Sequence, residues 1–262
     1  MPERTSYAQG TPSWVDLQTT DPGEAKAFYS GLFGWGFDDM PMGDGSGAAY
    51  SMATVDGKQV AAISPQPPPM AEQGVPPMWS TYITVDDVDA TTSQVGSAGG
   101  QVMMEPFDVL EAGRMAVVAD PTGGAVALWQ AKDSIGAELV NEPGTLIWNE
   151  LHTPDVETAG AFLTALLGVT TEEMDMGGPY TVFKAGDDVV GGITPPPIEG
   201  LPTHWDLAFC VTDIEESLAK VTDLRGTVVA GPIDTPIGRA ATVTDPQGAM
   251  FSLFEPQPGD DG

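Results

Sequence analysis

The sequence predicts an α+β fold in which four β-α-β-β-β units form two tandem domains with concave sheets. Two observations carry this prediction. The segments that begin at Trp14 and Trp148 match at one constant offset, and the segments that begin at Trp79 and Trp205 form a second matched pair. Internal repeats are stronger evidence of architecture than local propensity. The 262 residues suffice for two domains, each long enough for a sizeable core.

The first unit begins with a strand and continues into a helix. Val15 and Leu17 alternate with Trp14 and polar neighbours, which is the period-two pattern of a strand with two different faces. Asp21 is expected to cap the helix, and Glu24 completes a capping box. The helix then has an apolar stripe formed by Ala25, Phe28 and Leu32.

The fourth unit repeats this pattern with different residues. Asp213 and Glu216 supply the cap and the box. The strand before them has Leu207, Phe209 and Val211 on one face, and the helix after them has a stripe of Ile214, Leu218 and Val221. We expect each helix to cover the apolar face of its strand. Apolar segments separated by turn residues predict hairpin strands after the helices, as at residues 50–55 with 59–63 and 115–119 with 125–129.

These patterns define the expected domain organisation. The predicted units span residues 14–64, 79–130, 147–194 and 204–255. The first domain is expected at 11–131 and the second at 144–257, and 132–143 is the predicted linker. The proline-rich segments 65–69 and 195–197 occupy the same repeat position, which predicts extended polyproline II spacers.

Composition limits the partners and the location. The formal net charge is −29, from 9 basic and 38 acidic residues, which disfavours nucleic acid and anionic membranes as partners. Cys210 is the only cysteine, so no intramolecular disulfide forms, and we interpret this residue as a packing residue. Residues 1–10 have no apolar signal core, which favours a cytoplasmic location.

The repeated motifs resemble the vicinal oxygen chelate superfamily, which includes glyoxalase I, bleomycin-resistance proteins and extradiol dioxygenases. The resemblance rests on the helix motif with Asp21, Phe28, Tyr29 and Gly34, and on the Asp-Pro-x-Gly turns at 120–123 and 245–248. The two domain openings further resemble a two-domain actinobacterial subgroup. Its members are labelled hydroxylases of secondary metabolism, kinase-binding proteins or a mycobacterial antigen.

The resemblance also implies where metal ligands would lie. In metal enzymes of this superfamily, one ligand precedes the helix-capping Asp by seven residues and another follows the Asp of the Asp-Pro turn by seven. Neither His152 nor His204 falls on such a position. The residues that do are Trp14, Trp148, Ala127 and Ser252. A further ligand position, at the start of the first strand of units two and four, falls near Ser80 and Asp206. This donor set predicts that the usual metal is absent, and that no cofactor is bound. An irregular site of Glu150, His152 and Asp206 is the alternative.

The resemblance places the site on the concave face of each sheet, here called the cup. Strand parity predicts the lining of the first cup as Trp14, Asp16, Gln18, Ser80, Tyr82, Thr84, Ala127 and Trp129, and of the second as Trp148, Glu150, His152, Asp206, Ala208, Cys210, Ser252 and Phe254. Aromatic walls with a few carboxylates suit a flat organic ligand, including one with a positive charge. The alternative is a cup filled by its own Trp14 or Trp148.

His152 is the candidate acid-base residue, because imidazole titrates near neutrality and Glu150 on the same strand face favours its charged form. The equally supported alternative is a hydrogen-bonded cup residue. Asp16 and Gln18 occupy the corresponding positions of the first domain, so proton transfer is expected only in the second. The candidate catalytic residues are therefore His152, Glu150 and Asp206.

Arg114 and Arg239 occupy matched repeat positions before a strand. This arrangement favours a repeated salt bridge over the recognition of a carboxylate ligand.

Three functions are compatible with the sequence. The leading hypothesis is a protein that binds a small organic molecule in one or both cups without the usual metal, with a link to secondary metabolism. The second is an enzyme of the hydroxylase, dioxygenase or isomerase type that uses His152, Glu150 and Asp206. The third is a regulatory protein that binds a Ser/Thr kinase, which follows from the subgroup labels.

Overall fold

The computed structural model describes residues 3–42, 47–176, 179–197 and 200–257. Four β-α-β-β-β units are present, so the predicted α+β fold is confirmed. The first half contains β1 (Pro12–Thr19), α1 (Pro22–Phe33), β2 (Gly36–Pro41), β3 (Ala49–Val55), β4 (Lys58–Pro65), α2 (Pro68–Glu72), β5 (Met78–Thr84), α3 (Val88–Gln94), β6 (Gln101–Val109), β7 (Gly113–Ala119) and β8 (Ala125–Ala131).

Among its described residues, the second half repeats this order without a counterpart of α2. It contains β9 (Leu146–His152), α4 (Val156–Leu167), β10 (Thr170–Asp175), β11 (Pro179–Ala185), β12 (Asp188–Thr194), β13 (His204–Cys210), α5 (Ile214–Asp223), β14 (Thr227–Thr235), β15 (Gly238–Thr244) and β16 (Met250–Pro256).

The helices begin where the capping residues predicted. The carboxylate of Asp21 accepts a hydrogen bond from the backbone N–H of Glu24, and that of Asp213 accepts one from the N–H of Glu216. These bonds satisfy donors that the first turn of a helix leaves unpaired. Gly34 ends α1 with a left-handed φ of 75°, a conformation that glycine adopts without steric cost.

Each half forms one open eight-stranded sheet. The strand orders are β2-β3-β4-β1-β5-β8-β7-β6 and β10-β11-β12-β9-β13-β16-β15-β14, so the two sheets have the same topology. The first strands of the two units in each half are antiparallel neighbours at the centre of the sheet. Their register pairs Asp16 with Ser80 and Glu150 with Asp206, which brings polar side chains from two units onto one cup.

The two largest hydrophobic core clusters both cross the boundary between the domains. One core cluster joins the first unit to the fourth, because Phe28 and Leu32 of α1 belong to the same cluster as Phe209, Val221 and Phe251. The other joins the second unit to the third and includes Ile83, Val118, Phe162 and Leu163. Each of these two clusters therefore contains residues from both domains.

A buried polar contact also joins the two halves. The hydroxyl of Thr81 in β5 donates a hydrogen bond to Oδ1 of Asn149 in β9 at 2.9 Å, and both residues are buried. A buried hydroxyl that lost this partner would be costly. The bond thus adds specificity to an otherwise apolar contact between the sheets.

The connecting segments differ in part from the sequence-based expectation. The spacer predicted at 65–69 is not wholly extended, because Pro68–Glu72 forms the short helix α2, whereas residues 195–197 have no helix or strand. The predicted linker is packed against the first domain. The backbone N–H of Ala137 donates to the carbonyl of Ser13 at 2.8 Å, and Ala137 and Val140 are buried. Within the described ranges, no helix has the length and apolar character needed to cross a membrane.

Candidate functional site

The first cup is filled by its own side chains. Trp14, Tyr82 and Trp129 are 7%, 8% and 7% exposed, and they form a hydrophobic cluster with Ala137 and Val140 of the segment after β8. The indole N–H of Trp129 also donates to the carbonyl of Ser134 at 3.0 Å. The segment between the domains therefore closes this cup, and the aromatic residues predicted to line it are core residues.

Asp16 is the buried polar centre of the first cup. Its Oδ2 accepts hydrogen bonds from the hydroxyls of Tyr82 at 2.8 Å and Tyr50 at 3.2 Å, and the Tyr50 hydroxyl accepts one from the indole N–H of Trp14 at 3.0 Å. The other oxygen, Oδ1, is buried and has no partner among the described residues. Burial raises the pKa of Asp16 to about 6, although the tyrosine bonds oppose this shift.

The second cup repeats this chain of contacts and extends it by one residue. The indole N–H of Trp148 donates to the hydroxyl of Tyr180 at 2.8 Å, and that hydroxyl donates to Oε2 of Glu150. The other carboxylate oxygen of Glu150 lies 2.5 Å from Nε2 of His152. Gln18 occupies the position of His152 in the first cup, so only the second chain ends on a titratable ring.

His152 is held firmly but keeps one ring nitrogen unbonded. The residue is 7% exposed, and its Nδ1 has no hydrogen-bond partner among the described residues. The ring of His204 lies edge-on to it, with 4.9 Å between the centroids. Burial lowers the pKa of His152, but the hydrogen bond and charge of Glu150 and the charge of Asp206 raise it more, so the net shift is upward.

A small cleft opens beside this ring. It is lined by His152, His204 and Asp206 from the two central strands, and by Thr242, Met250, Pro197 and Leu201 around them. Asp206 accepts a hydrogen bond from the hydroxyl of Ser252 at 2.6 Å, and burial raises the pKa of its carboxyl. The cleft has a free volume of about 10 Å³, which is room for about one water molecule.

The two cups differ in exposure. Trp148, Tyr180, Glu150 and Phe254 are half-buried, whereas their counterparts in the first cup, apart from the half-buried Tyr50, are buried. Asp206 and Ser252 are also half-buried, and Ala208 is buried. Part of the predicted second-cup lining is therefore partly exposed, whereas His152, Ala208 and Cys210 are buried.

Sequence reasoning missed Tyr50 and Tyr180, which join the tryptophan to the carboxylate in each cup. They lie on β3 and β11, which pair with the strands next to them in sequence. Their hydroxyls reach carboxylates on β1 and β9, which are two strands away in the sheet. A signal was available, because the segments that begin Tyr50-Ser51 and Tyr180-Thr181 match within the repeat. The match shows that the tyrosines correspond, but not what their hydroxyls contact.

The arginine pair forms salt bridges, as predicted. Arg114 donates to Asp89 of α3 at 2.6 Å, and Arg239 donates to Glu215 of α5 at 2.7 Å. Both contacts tie a strand to the first turn of the helix in the same unit. Cys210 is buried, and burial together with the nearby charge of Glu142 raises its pKa to about 11. A thiol with this pKa is a poor nucleophile at neutral pH, which agrees with a packing role.

The donor set in the cups does not fit the divalent metal of the superfamily's enzymes. At the positions where ligands were expected, the indoles of Trp14 and Trp148 donate hydrogen bonds to tyrosines, and Ala127 has no donor atom. Over the described ranges, no three His, Cys, Asp or Glu side chains converge in a way that would hold a metal ion. The irregular site of Glu150, His152 and Asp206 therefore finds no support in the structure.

Two open sheets of matched topology, each built from a pair of β-α-β-β-β units with polar groups on the cup, define a tandem-cup protein. Residues 11–128 match the family model of the Glyoxalase/Bleomycin resistance protein/Dioxygenase superfamily, and residues 148–254 match that of a glyoxalase-like domain. This chain belongs to the Glyoxalase/Bleomycin resistance protein/Dioxygenase superfamily.

Relatives of similar length support this assignment. The chain is 54% identical to CFP32 of Mycobacterium tuberculosis, whose name provisionally describes a glyoxylase, over 98% of this chain and 99% of that protein. It is 38% identical to the anthracycline biosynthesis protein DnrV of Streptomyces peucetius, over 97% of this chain and 96% of the relative.

Solved structures show the same fold at low sequence identity. The 2,3-dioxygenase LapB from Pseudomonas sp. KL28 superposes with a TM-score of 0.64 at 16% identity, covering 97% of this chain and 96% of that chain. The Mn(II)-bound glyoxalase from Novosphingobium aromaticivorans gives a TM-score of 0.61 at 16% identity, covering 95% and 82%. These similarities concern the fold.

Proposed function

We propose that this protein binds a small, flat organic molecule in its second cup and that the first cup is structural. The observation that carries the proposal is the difference in exposure between two matched sites. Both cups contain a chain of tryptophan, tyrosine and carboxylate, but the segment after β8 closes the first, whereas the second remains half-exposed.

The residues of the second cup favour a particular ligand chemistry. Trp148, Tyr180 and Phe254 provide aromatic surface, and Glu150 with Asp206 provides negative charge that is only partly compensated. Aromatic walls with a few directed polar groups are typical of small-molecule sites. The net charge of −29 also disfavours anionic ligands, so the expected ligand is neutral or cationic.

The names of two relatives narrow the ligand class. DnrV and DauV are both named anthracycline biosynthesis proteins, and each aligns along almost the whole of this chain. A polycyclic aromatic secondary metabolite, or a precursor of one, is therefore the proposed ligand, bound without the usual metal in the cytoplasm. No feature of the described residues favours the kinase-binding alternative.

Tryptophan fluorescence and calorimetry with a panel of hydroxylated naphthoquinones and anthraquinones test the proposal. We expect one ligand per chain, quenching of Trp148, and loss of that quenching in Trp148→Phe. Trp14→Phe is the matched variant in the first cup and is expected to retain binding. Absence of binding across the panel would overturn the proposal, as would two equivalent ligands per chain.

A further inference from the structure

A buried hydrogen-bonded triad joins the two domains. The indole N–H of Trp79 in β5 donates to the hydroxyl of Tyr29 in α1 at 3.1 Å, and that hydroxyl donates to Oδ2 of Asp245 at 3.4 Å. All three residues are buried. The tyrosine hydroxyl therefore acts both as an acceptor and as a donor, and it satisfies one polar group from each domain.

The repeat produces a second copy of this triad with one member changed. Trp205 in β13 matches the tryptophan, and Asp120 of the first Asp-Pro-x-Gly turn matches the aspartate. Leu163 of α4 takes the place of Tyr29, at the offset that relates the third unit to the first. The second copy thus keeps the donor and the acceptor but has no hydroxyl between them.

The donor and the acceptor of the second copy are both buried and unpaired. Nε1 of Trp205 and Oδ2 of Asp120 have no hydrogen-bond partner among the described residues, and the two residues are 9% and 5% exposed. The other carboxylate oxygen of Asp120 accepts hydrogen bonds from the backbone N–H groups of Thr122 and Gly124, which fixes the orientation of the carboxylate. Buried polar groups are rarely left without a partner, because an unpaired one is costly.

The packing brings these two groups to the same part of the core. Leu151 of β9 is the direct cross-strand partner of Trp205. A β-carbon on Gly124 would lie 2.5 Å from Oδ2 of Asp120 and 2.7 Å from Cδ1 of Leu151, so the carboxylate lies beside the residue that pairs with the tryptophan. Leu163 belongs to the same core cluster as Leu151 and Trp205, and its side chain is smaller than that of a tyrosine.

We propose that one ordered water molecule is bound between Trp205 and Asp120, at the position that the hydroxyl of Tyr29 occupies in the first copy. The ligand must accept a hydrogen bond from an indole N–H and donate one to a carboxylate oxygen, and it must fit where leucine replaces tyrosine. Water meets these requirements. It joins the two domains as the tyrosine hydroxyl does in the first copy, and it is separate from both cups.

A crystal structure of the full-length protein at a resolution that reveals ordered water tests the proposal directly. We expect a water molecule within hydrogen-bond distance of both Nε1 of Trp205 and Oδ2 of Asp120. The first copy is the internal control, because the hydroxyl of Tyr29 already occupies the matched position there. A dry site in the second copy, or a water bonded to only one of the two atoms, would overturn the proposal.

Two substitutions of Leu163 test the same site in solution. Leu163→Tyr supplies a hydroxyl that replaces the water, whereas Leu163→Phe fills the same space with a ring that has no hydroxyl. We expect Leu163→Tyr to unfold at a higher urea concentration than Leu163→Phe. Tyr29→Phe is the matched change in the first copy, and it should lower the unfolding midpoint of the unmodified protein because it leaves both partners of that hydroxyl unpaired.

The outcomes are independent of ligand binding in the second cup. Equal unfolding midpoints for Leu163→Tyr and Leu163→Phe would contradict the proposal, because the hydroxyl would then have no polar groups to satisfy. If neither variant of Leu163 folds, the crystal structure of the unmodified protein decides alone.

Discussion

The ring of Phe162 in the second domain lies against Gly100 in the first, so closely that a β-carbon on Gly100 would be 2.5 Å from Cε2 of that ring. The repeat produces the reverse contact as well, because the ring of Phe28 lies against Gly226, where a β-carbon would be 3.0 Å from it. Each domain thus inserts a helix aromatic ring beside a glycine of the other. These contacts lie within the two largest core clusters, which both cross the domain boundary.

Gly100→Ala should therefore destabilise the protein. The added methyl group would meet the Phe162 ring and the carbonyl oxygen of Ala119, both at 2.5 Å, so the backbone or the ring must move. Overpacking of this kind costs about 1–3 kcal/mol, measurable as the free energy of unfolding in urea. Gly96→Ala is the control, because a β-carbon there has no atom within 4 Å. Equal effects of the two changes would contradict the contact.

The two matched tryptophans should respond differently to truncation. Trp14→Ala removes a buried ring from the filled first cup and should cost about 3–5 kcal/mol of unfolding free energy. Trp148→Ala removes a half-buried ring and should cost less, but it should abolish ligand binding in the second cup. Denaturant unfolding and calorimetry on both variants check this prediction. A larger loss of stability for Trp148→Ala than for Trp14→Ala would contradict the assignment of the first cup as the filled one.

Asp16 should make stability fall as the pH rises. Its folded pKa of about 6 exceeds the ordinary value of 3.8, so the folded state retains a proton that the unfolded chain releases. Stability is therefore lost between about pH 4 and pH 6. The free energy of unfolding of Asp16→Asn minus that of the unmodified protein should therefore increase by about 2–3 kcal/mol between pH 3 and pH 7. Unfolding curves at the two pH values measure this effect, and a constant difference would show that Asp16 titrates normally.

Arg114 should matter little for either stability or binding. Its partners, Asp89 and Asp108, are exposed, and the hydrogen bond from Arg114 lowers the pKa of Asp89. Exposed ion pairs contribute little and are screened by salt. Arg114→Gln should therefore cause a small loss of stability at low salt that disappears at high salt, with unchanged ligand affinity. A large loss of affinity would instead support carboxylate recognition.

The local elements were predictable because their signals are local. Asp21 and Asp213 cap their helices as the capping-box pattern predicted, and the alternation of Leu207 and Phe209 identified a strand face that is buried. The repeat then supplied the order of elements, since matched segments fold alike. The same repeat correctly paired Arg114 with Arg239 as salt-bridge residues.

The composition of the site was only partly predictable. Strand parity placed Glu150 and His152 on one face, and the structure shows them hydrogen-bonded. Tyr180 was missed because its hydroxyl reaches Glu150 across strands that are remote in sequence. The prediction of an extended spacer at 65–69 was partly wrong, because Pro68 begins a short helix. Proline is accommodated in the first turn of a helix as well as in an extended segment.

The sequence by itself determined the family, the order of the four units and the face of each strand that is apolar. Those properties follow from repeats and from periodicities of a few residues. Only the tertiary structure decided that the cores are shared between the domains and that Ala137 and Val140 close the first cup while the second stays accessible. The physical reason is that periodicity identifies a face that must be buried, but the element that buries it is chosen by packing between distant segments.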